Sequence, residues 1–158
     1  QRMSPKDRLE MIRGMVAGLE ARLKENPKDL AGWQRLGRSY TVLGNLEKAA
    51  WAYGKAAELA PKSAQALSDH AVALMRLSGN EKPLTLEAVL ALRRLIALDA
   101  NNAFALYFLG RAETEAGNPA AALVHWRKLM AQLPANSRMR PRLTQDIAKA
   151  EKALADKK

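Results

Sequence analysis

A chain of 158 residues that is 48% hydrophobic and 5% aromatic is long enough for one domain with a continuous core and too apolar to stay disordered. It has no cysteine, which excludes disulfides, thiol catalysis and thiolate metal sites and leaves the redox compartment open. The net charge of +10 raises nucleic acid as a partner, but residues 1–28 carry +3, 29–137 carry +3 and 138–158 carry +4, so the excess sits at the two ends and fits a solvated surface or contact with anionic lipid.

Alanine and leucine abound and no Val/Ile/Thr run alternates with period two, so helices are expected throughout. No apolar stretch reaches the roughly 18–20 residues of a bilayer crossing, and the start "QRMSPKDR" is neither a signal peptide nor an initiator methionine. A soluble piece of something longer is the expectation. The first element spans 1–28: Ser4 is a candidate N-cap, Pro5 follows it, and Leu9, Ile12, Val16, Leu19 and Leu23 form an apolar stripe at helical spacing.

Next come three related units, marked by Gly-Asn pairs at Gly44-Asn45, Gly79-Asn80 and Gly117-Asn118. Starting at Leu30, Ala64 and Ala103, the units cover 30–63, 64–102 and 103–136, the second enlarged around "GNEKPLT". Each reads as two antiparallel helices. Gly ends the first helix in a left-handed conformation and Asn caps the second through its side-chain oxygen, while Asp29, Ser63 and Asn102 are candidate N-caps of the three first helices. Small residues paired as Gly37 with Ala49, Ala71 with Ala88 and Gly110 with Ala122 are expected to let the two backbones approach. Within the first unit Trp33, Leu36, Gly37, Tyr40, Ala49, Tyr53, Ala56 and Pro61 match the tetratricopeptide (TPR) consensus; the third keeps most of this pattern, and the second keeps the apolar rhythm but loses Trp, Gly and Pro. The last segment, 137–158, carries Leu143, Ile147, Ala150 and Leu154 at helical spacing and would cover the third unit. The expected fold is all-α: a TPR helical-repeat solenoid of three repeats, with an N-terminal leader helix and a C-terminal capping helix, as a single domain over 1–158.

Chemistry is sparse along this chain. His70 stands at a core-facing place, His125 has no ligand-spaced partner, and there is no Gly-rich phosphate loop, so no catalytic residue, metal site or cofactor is expected. The three tryptophans and the methionines read as core. In a TPR architecture the first helices line a concave side, which selects Gln34, Arg38 and Thr41, then Ser68, Val72 and Met75, then Phe104, Tyr107, Arg111 and Thr114 as a peptide-binding groove. Arg38 and Arg111 would hold carboxylates or carbonyls there, with Phe104, Tyr107 and Met75 supplying apolar contact.

The leader "MIRGMV" from Met11 to Val16, followed by the joint "ARLKENPKD" from Ala21 to Asp29 and a Gly-Trp repeat, resembles the periplasmic TPR domain of bacterial c-type cytochrome biogenesis proteins, the CcmI/CycH apocytochrome chaperones. The resemblance covers essentially the whole chain. It implies a holdase that binds the C-terminal helix of unfolded apocytochrome c and presents its Cys-x-x-Cys-His segment for haem attachment. It further implies partners among the maturation components, namely a haem lyase complex and a haem chaperone, and a periplasmic location with an inner-membrane anchor in an N-terminal part outside this chain. Nucleic acid is not an expected partner. The competing readings are a TPR adaptor for another assembly protein, such as a nitrite-reductase haem lyase component, and a basic helical-repeat nucleic-acid binder.

Overall fold

The computed structural model describes residues 3–79 and 82–156, which form eight α-helices and no strand. They divide into two compact units, 1–79 and 80–158. The first holds α1 (Pro5–Glu25), α2 (Leu30–Val42), α3 (Leu46–Leu59) and α4 (Ala64–Ser78); the second holds α5 (Leu86–Leu98), α6 (Ala103–Glu115), α7 (Pro119–Gln132) and α8 (Arg140–Ala155). The helix pairs α2/α3 and α6/α7 are TPR-type hairpins at the places the spacing predicts.

Short polar side chains start most of these helices by accepting a hydrogen bond from a backbone N–H that has no partner within the helix. Ser4 accepts from Asp7, Asp29 from Gly32, Asn45 from Lys48, Ser63 from Ala66 and Asn102 from Ala105. Two positions depart from expectation. Thr85, not an asparagine, caps α5, and Asn80 lies outside the described residues. Asn118 makes no side-chain cap on α7; its amide instead donates to Glu113 Oε2 at 3.2 Å, and Pro119, which lacks an N–H to be capped, begins the helix.

The Gly-Asn pairs serve the end of the preceding helix as much as the start of the next. Gly44 and Gly117 have φ of 73° and 77°, and this reversal lets the N–H of Asn45 reach Tyr40 O at 2.9 Å and that of Asn118 reach Glu113 O at 2.8 Å. Those are the long closing bonds of a Schellman end. Gly79, the C-cap of α4, also has positive φ (79°), with an extended ψ of 161°.

The glycines on α2 and α6 have a role beyond the one their spacing suggests. A Cβ on Gly37 would lie 2.9 Å from the Tyr53 ring, and one on Gly110 would lie 2.2 Å from Trp126 Nε1, so each glycine seats an aromatic ring from the second helix of its hairpin. Trp126 cannot yield, because its Nε1 donates to Tyr107 O at 3.0 Å. At the corresponding sequence positions the middle repeat carries Ala71 on α4 and Leu92 on α5.

In the first unit the core joins Val16, Leu19 and Leu23 of α1 to Trp33, Leu36 and Tyr40 of α2 and to Ala49, Ala52 and Ala56 of α3. The leader therefore covers repeat one, but only with its C-terminal half: Leu9 and Ile12, named above in the stripe, are exposed, as are Met3, Met11 and Met15. The reason is geometric, since a helix rises about 1.5 Å per residue and the 21 residues of α1 outrun the 13 of α2. In the second unit α8 buries Leu143 and Ala150 against Leu106, Leu123, Trp126 and Leu129, as expected of a cap. The last carbonyls of α7 are satisfied from α8, whose Arg140 donates to Leu133 O at 2.6 Å and Met130 O at 3.3 Å.

One polar node fastens α1. Glu20 accepts from Lys24 at 2.7 Å, from Lys48 of α3 at 2.9 Å and from the hydroxyl of Tyr40 on α2, and Lys48 Nζ lies 5.2 Å from the Tyr40 ring centroid. The hydrogen bonds from Lys24, Tyr40 and Lys48 lower the Glu20 pKa to about 2.

Two outcomes are expected. Gly110→Ala destabilises by about 1–3 kcal/mol through overpacking, while Gly14→Ala, where a Cβ meets nothing within 4 Å on exposed α1, stabilises by roughly 0.5–1 kcal/mol; thermal melts of both check the glycine seat. Because folding lowers the Glu20 pKa, its contribution is complete above the unfolded carboxylate range and disappears as pH falls towards about 2. Glu20→Gln should flatten that acid-side loss, measured as melting temperature between neutral and strongly acidic pH.

Candidate functional site

The residues selected as groove-lining fall on α2, α4 and α6. Those on α2 and α4 share the first unit; those on α6 belong to the second. On α2, Gln34 is half-buried and Arg38 is exposed, and on α4 Ser68, Val72 and Met75 are all half-buried. Arg38 makes no ion pair among the described residues, so its guanidinium is available. Thr41 Oγ1 donates to Gly37 O at 2.9 Å, and Thr114 at the matching place on α6 donates to Gly110 O at 3.0 Å. Both hydroxyls thus donate back to their own helix, and that of Thr41 also interacts with the Tyr53 hydroxyl of α3.

The α6 residues are more heavily engaged. Phe104 lies against Phe108 with ring centroids 4.9 Å apart, and Tyr107 meets the same ring edge-on at 5.1 Å and 85°. The Tyr107 hydroxyl donates to Asp146 Oδ2 of α8 at 3.4 Å, and Asp146 also accepts from Arg142 at 3.2 Å. Phe108 escaped the sequence reading because offset counting assigns it no role. Arg111 is likewise occupied: its Nε donates to Glu115 Oε1 at 2.9 Å and its Nη2 to Lys82 O at 3.2 Å. Glu115 in turn accepts from the N–H of Leu84 at 3.1 Å, so the pair fastens the segment before α5 to α6. The i,i+4 spacing of Arg111 and Glu115 was the available signal for that pairing.

Both histidines lie on helices, one in each unit. His70 is half-buried with Nε2 against α3, where a Cβ on Gly54 would lie 3.1 Å away. His125 is half-buried too, and its pKa is lowered chiefly by desolvation, with Arg93 and Lys128 adding to the effect and Glu113 opposing it. Among the described residues no group of three or more His, Asp or Glu side chains could hold a metal ion, and no helix is long and apolar enough to cross a membrane.

The core assignment of the tryptophans holds for Trp33 and Trp126 and fails for Trp51, which keeps 36% of its surface exposed. It fails also for Met3, Met11, Met15 and Met139, all exposed. Flexible thioethers at an uncovered helix end have no partner to bury them, which composition alone does not reveal.

The family model described as the cytochrome c-type biogenesis protein H TPR domain matches residues 3–140. Cytochrome c-type biogenesis protein CcmH of Escherichia coli is 34% identical over 152 residues, covering 96% of this chain and 42% of that protein. Cytochrome c-type biogenesis protein CycH of Bradyrhizobium diazoefficiens is 32% identical over 130 residues, covering 82% of this chain and 35% of that protein. The chain thus spans less than half the length of these relatives. Among solved structures, the MamA protein superposes with a TM-score of 0.69 at 24% identity, covering 95% of this chain and 77% of that one, a likeness of fold.

His125 should titrate below the ordinary histidine range, as measured by proton-detected NMR of its ring, and Lys128→Ala should raise its pKa by removing one of the nearby positive charges.

Proposed function

We propose, because the chain belongs to the family of cytochrome c-type biogenesis protein H TPR domains, that it acts in c-type cytochrome maturation as a holdase for unfolded apocytochrome c. The client's C-terminal helical region lies against the first helices of the repeats, leaving its Cys-x-x-Cys-His segment accessible for haem attachment by a haem lyase complex and haem chaperone. The domain works in the periplasm, held to the inner membrane by a part of the protein outside this chain.

The observation that carries this reading is the character of α2 and α4. Their inner sides bury Leu36, Gly37, Leu67 and Ala71, whereas Arg38 stays exposed and unpaired among the described residues and Val72 and Met75 are only half-buried. A face with apolar patches and a free guanidinium suits an amphipathic helix that brings apolar side chains together with carboxylates or free terminal carbonyls. Phe104 and Phe108 on α6 offer a similar apolar surface in the second unit. Arg111 and Tyr107 contribute less to recognition than Arg38, since both are held by Glu115, Lys82 O and Asp146. The lack of cysteine fits the role: a client with two reduced thiols is held without exchanging disulfides with its chaperone.

Discrimination between unfolded and folded client follows from the same surface. A folded cytochrome keeps the apolar side of its C-terminal helix against its own core, so apocytochrome and the isolated helix peptide should bind and holocytochrome should not. Calorimetric titration of the three against the full chain tests this. Arg38→Ala and Met75→Ala should each weaken binding by about 1–2 kcal/mol, and Lys149→Ala, on exposed α8, should change nothing. Equal affinity for apo and holo forms, or affinity that follows salt and ignores Arg38, refutes the holdase reading.

A further inference from the structure

In the first unit a cleft of about 430 Å³ opens where the C-terminal end of α1, the joint at 26–29 and α3 meet. It shares no residue with the α2/α4 surface described above, and no part of the holdase reading uses it. Its floor is apolar: Leu23 and Trp33 are each 2% exposed, and Leu59, 39% exposed, forms part of the rim. Trp51 makes one wall. Its ring meets Trp33 edge-on, with centroids 5.0 Å apart and planes at 89°, so it is held in place while more than a third of its surface remains open. Among the described residues no acceptor takes the Trp51 indole N–H, whereas that of Trp33 donates to Pro27 O at 2.9 Å.

The mouth of this cleft is positive. Lys24, Lys28 and Lys55 are among its lining residues, against one acidic residue, Glu58. Lys24 is paired with Glu20 at 2.7 Å and Lys55 with Glu58 at 2.9 Å, but Lys28 makes no ion pair among the described residues. Nor is Lys28 on a loose loop. The joint carrying it is tied by Trp33 to Pro27 O, by the Asp29 cap to the Gly32 N–H at 2.8 Å, and by Leu30 N–H to Lys28 O at 3.1 Å. A fixed aromatic wall, a dry floor and an unpaired cation on a rigid joint together make a preorganised site, which loses little conformational entropy on binding.

We propose that this cleft is a second polypeptide-binding site, taking an acidic-apolar segment of a partner protein: a phenylalanine- or leucine-sized side chain enters against Trp51 and Leu59, and a neighbouring Asp or Glu carboxylate pairs with Lys28. The volume admits one or two side chains, within the range of small binding clefts. The charge around the mouth selects carboxylates over cations, and the Trp51 N–H, which has no acceptor among the described residues, is a further donor for such a segment. Tryptophan is also among the residue types that carry most of the binding energy at protein interfaces.

The test uses the full 158-residue chain and a short acetylated, amidated peptide in which phenylalanine and leucine alternate with glutamate, so that no terminal carboxylate is present. The indole N–H resonances of the three tryptophans report the site, with Trp51 assigned through Trp51→Phe. The Trp51 resonance should shift and saturate while that of Trp126 stays still. Lys28→Gln should weaken binding about two- to fivefold, the worth of one exposed ion pair, as should replacing the peptide's glutamates by glutamine. Arg38→Ala should leave it unchanged, which separates this site from the holdase surface. The proposal is overturned if no shift occurs up to about millimolar peptide, if the glutamine peptide or Lys28→Gln binds equally well, or if Trp51 responds only to vesicles of anionic lipid. Melting temperatures of the variants show whether each remains folded.

Discussion

An aromatic ring seated over a glycine sets the geometry on which both hairpins depend. Tyr53 lies where a side chain on Gly37 would be, and Trp126 lies where one on Gly110 would be. Interiors are packed at crystal-like density, so an atom at either place would have to displace a ring rather than fill a void. For Trp126 the ring is pinned as well as packed, by its hydrogen bond to Tyr107 O. That bond also ties the second helix of the hairpin to the backbone of the first, beside Tyr107. Once the helices are set at this distance, Leu36 and Leu109 are fully enclosed and the opposite sides of α2 and α6 are left for other contacts.

Electrostatics then decides which of those outward groups remain available. Surface ion pairs stabilise little individually, but they consume donors. Arg111 is turned onto Glu115 and a backbone carbonyl, Arg93 onto Glu113, and Arg127 onto Glu151. Glu20 is different, since one carboxylate, only 12% exposed, gathers donors from three helices and joins the leader to the first hairpin. Arg38 on α2 and Lys28 at the α1–α2 joint are two of several cations that make no ion pair among the described residues. Each stands beside apolar surface, and a positive group next to an uncovered apolar patch is the combination that favours a polypeptide carrying both carboxylates and apolar side chains.

Much of this was legible in the linear chain because it depends on local chemistry. Ser4, Asp29, Ser63 and Asn102 cap the helices they precede, for capping involves only a side chain and an N–H three residues on. The positive φ at Gly44, Gly79 and Gly117 follows from glycine's lack of a Cβ. Where a second element takes part, expectation and structure diverge. Asn118 matched the capping pattern, but its side chain is turned onto Glu113 of the preceding helix. Leu9 and Ile12 have the periodicity of a buried stripe, yet no helix extends far enough to cover them.

The sequence by itself determined the helical class, the order and approximate limits of the eight helices, the caps of α1, α2, α3, α4 and α6, and the family, since these depend on residue type, spacing and bonds within a few positions. Only the tertiary structure decided that Gly37 and Gly110 receive aromatic rings, that Trp51 lies open while Trp33 and Trp126 are enclosed, and that Arg111 is occupied while Arg38 is not. The physical reason is the same in each case. Steric exclusion, burial and ion pairing are properties of atoms brought together from separate helices, and helical periodicity specifies only which side of a helix a residue occupies, not what meets it there.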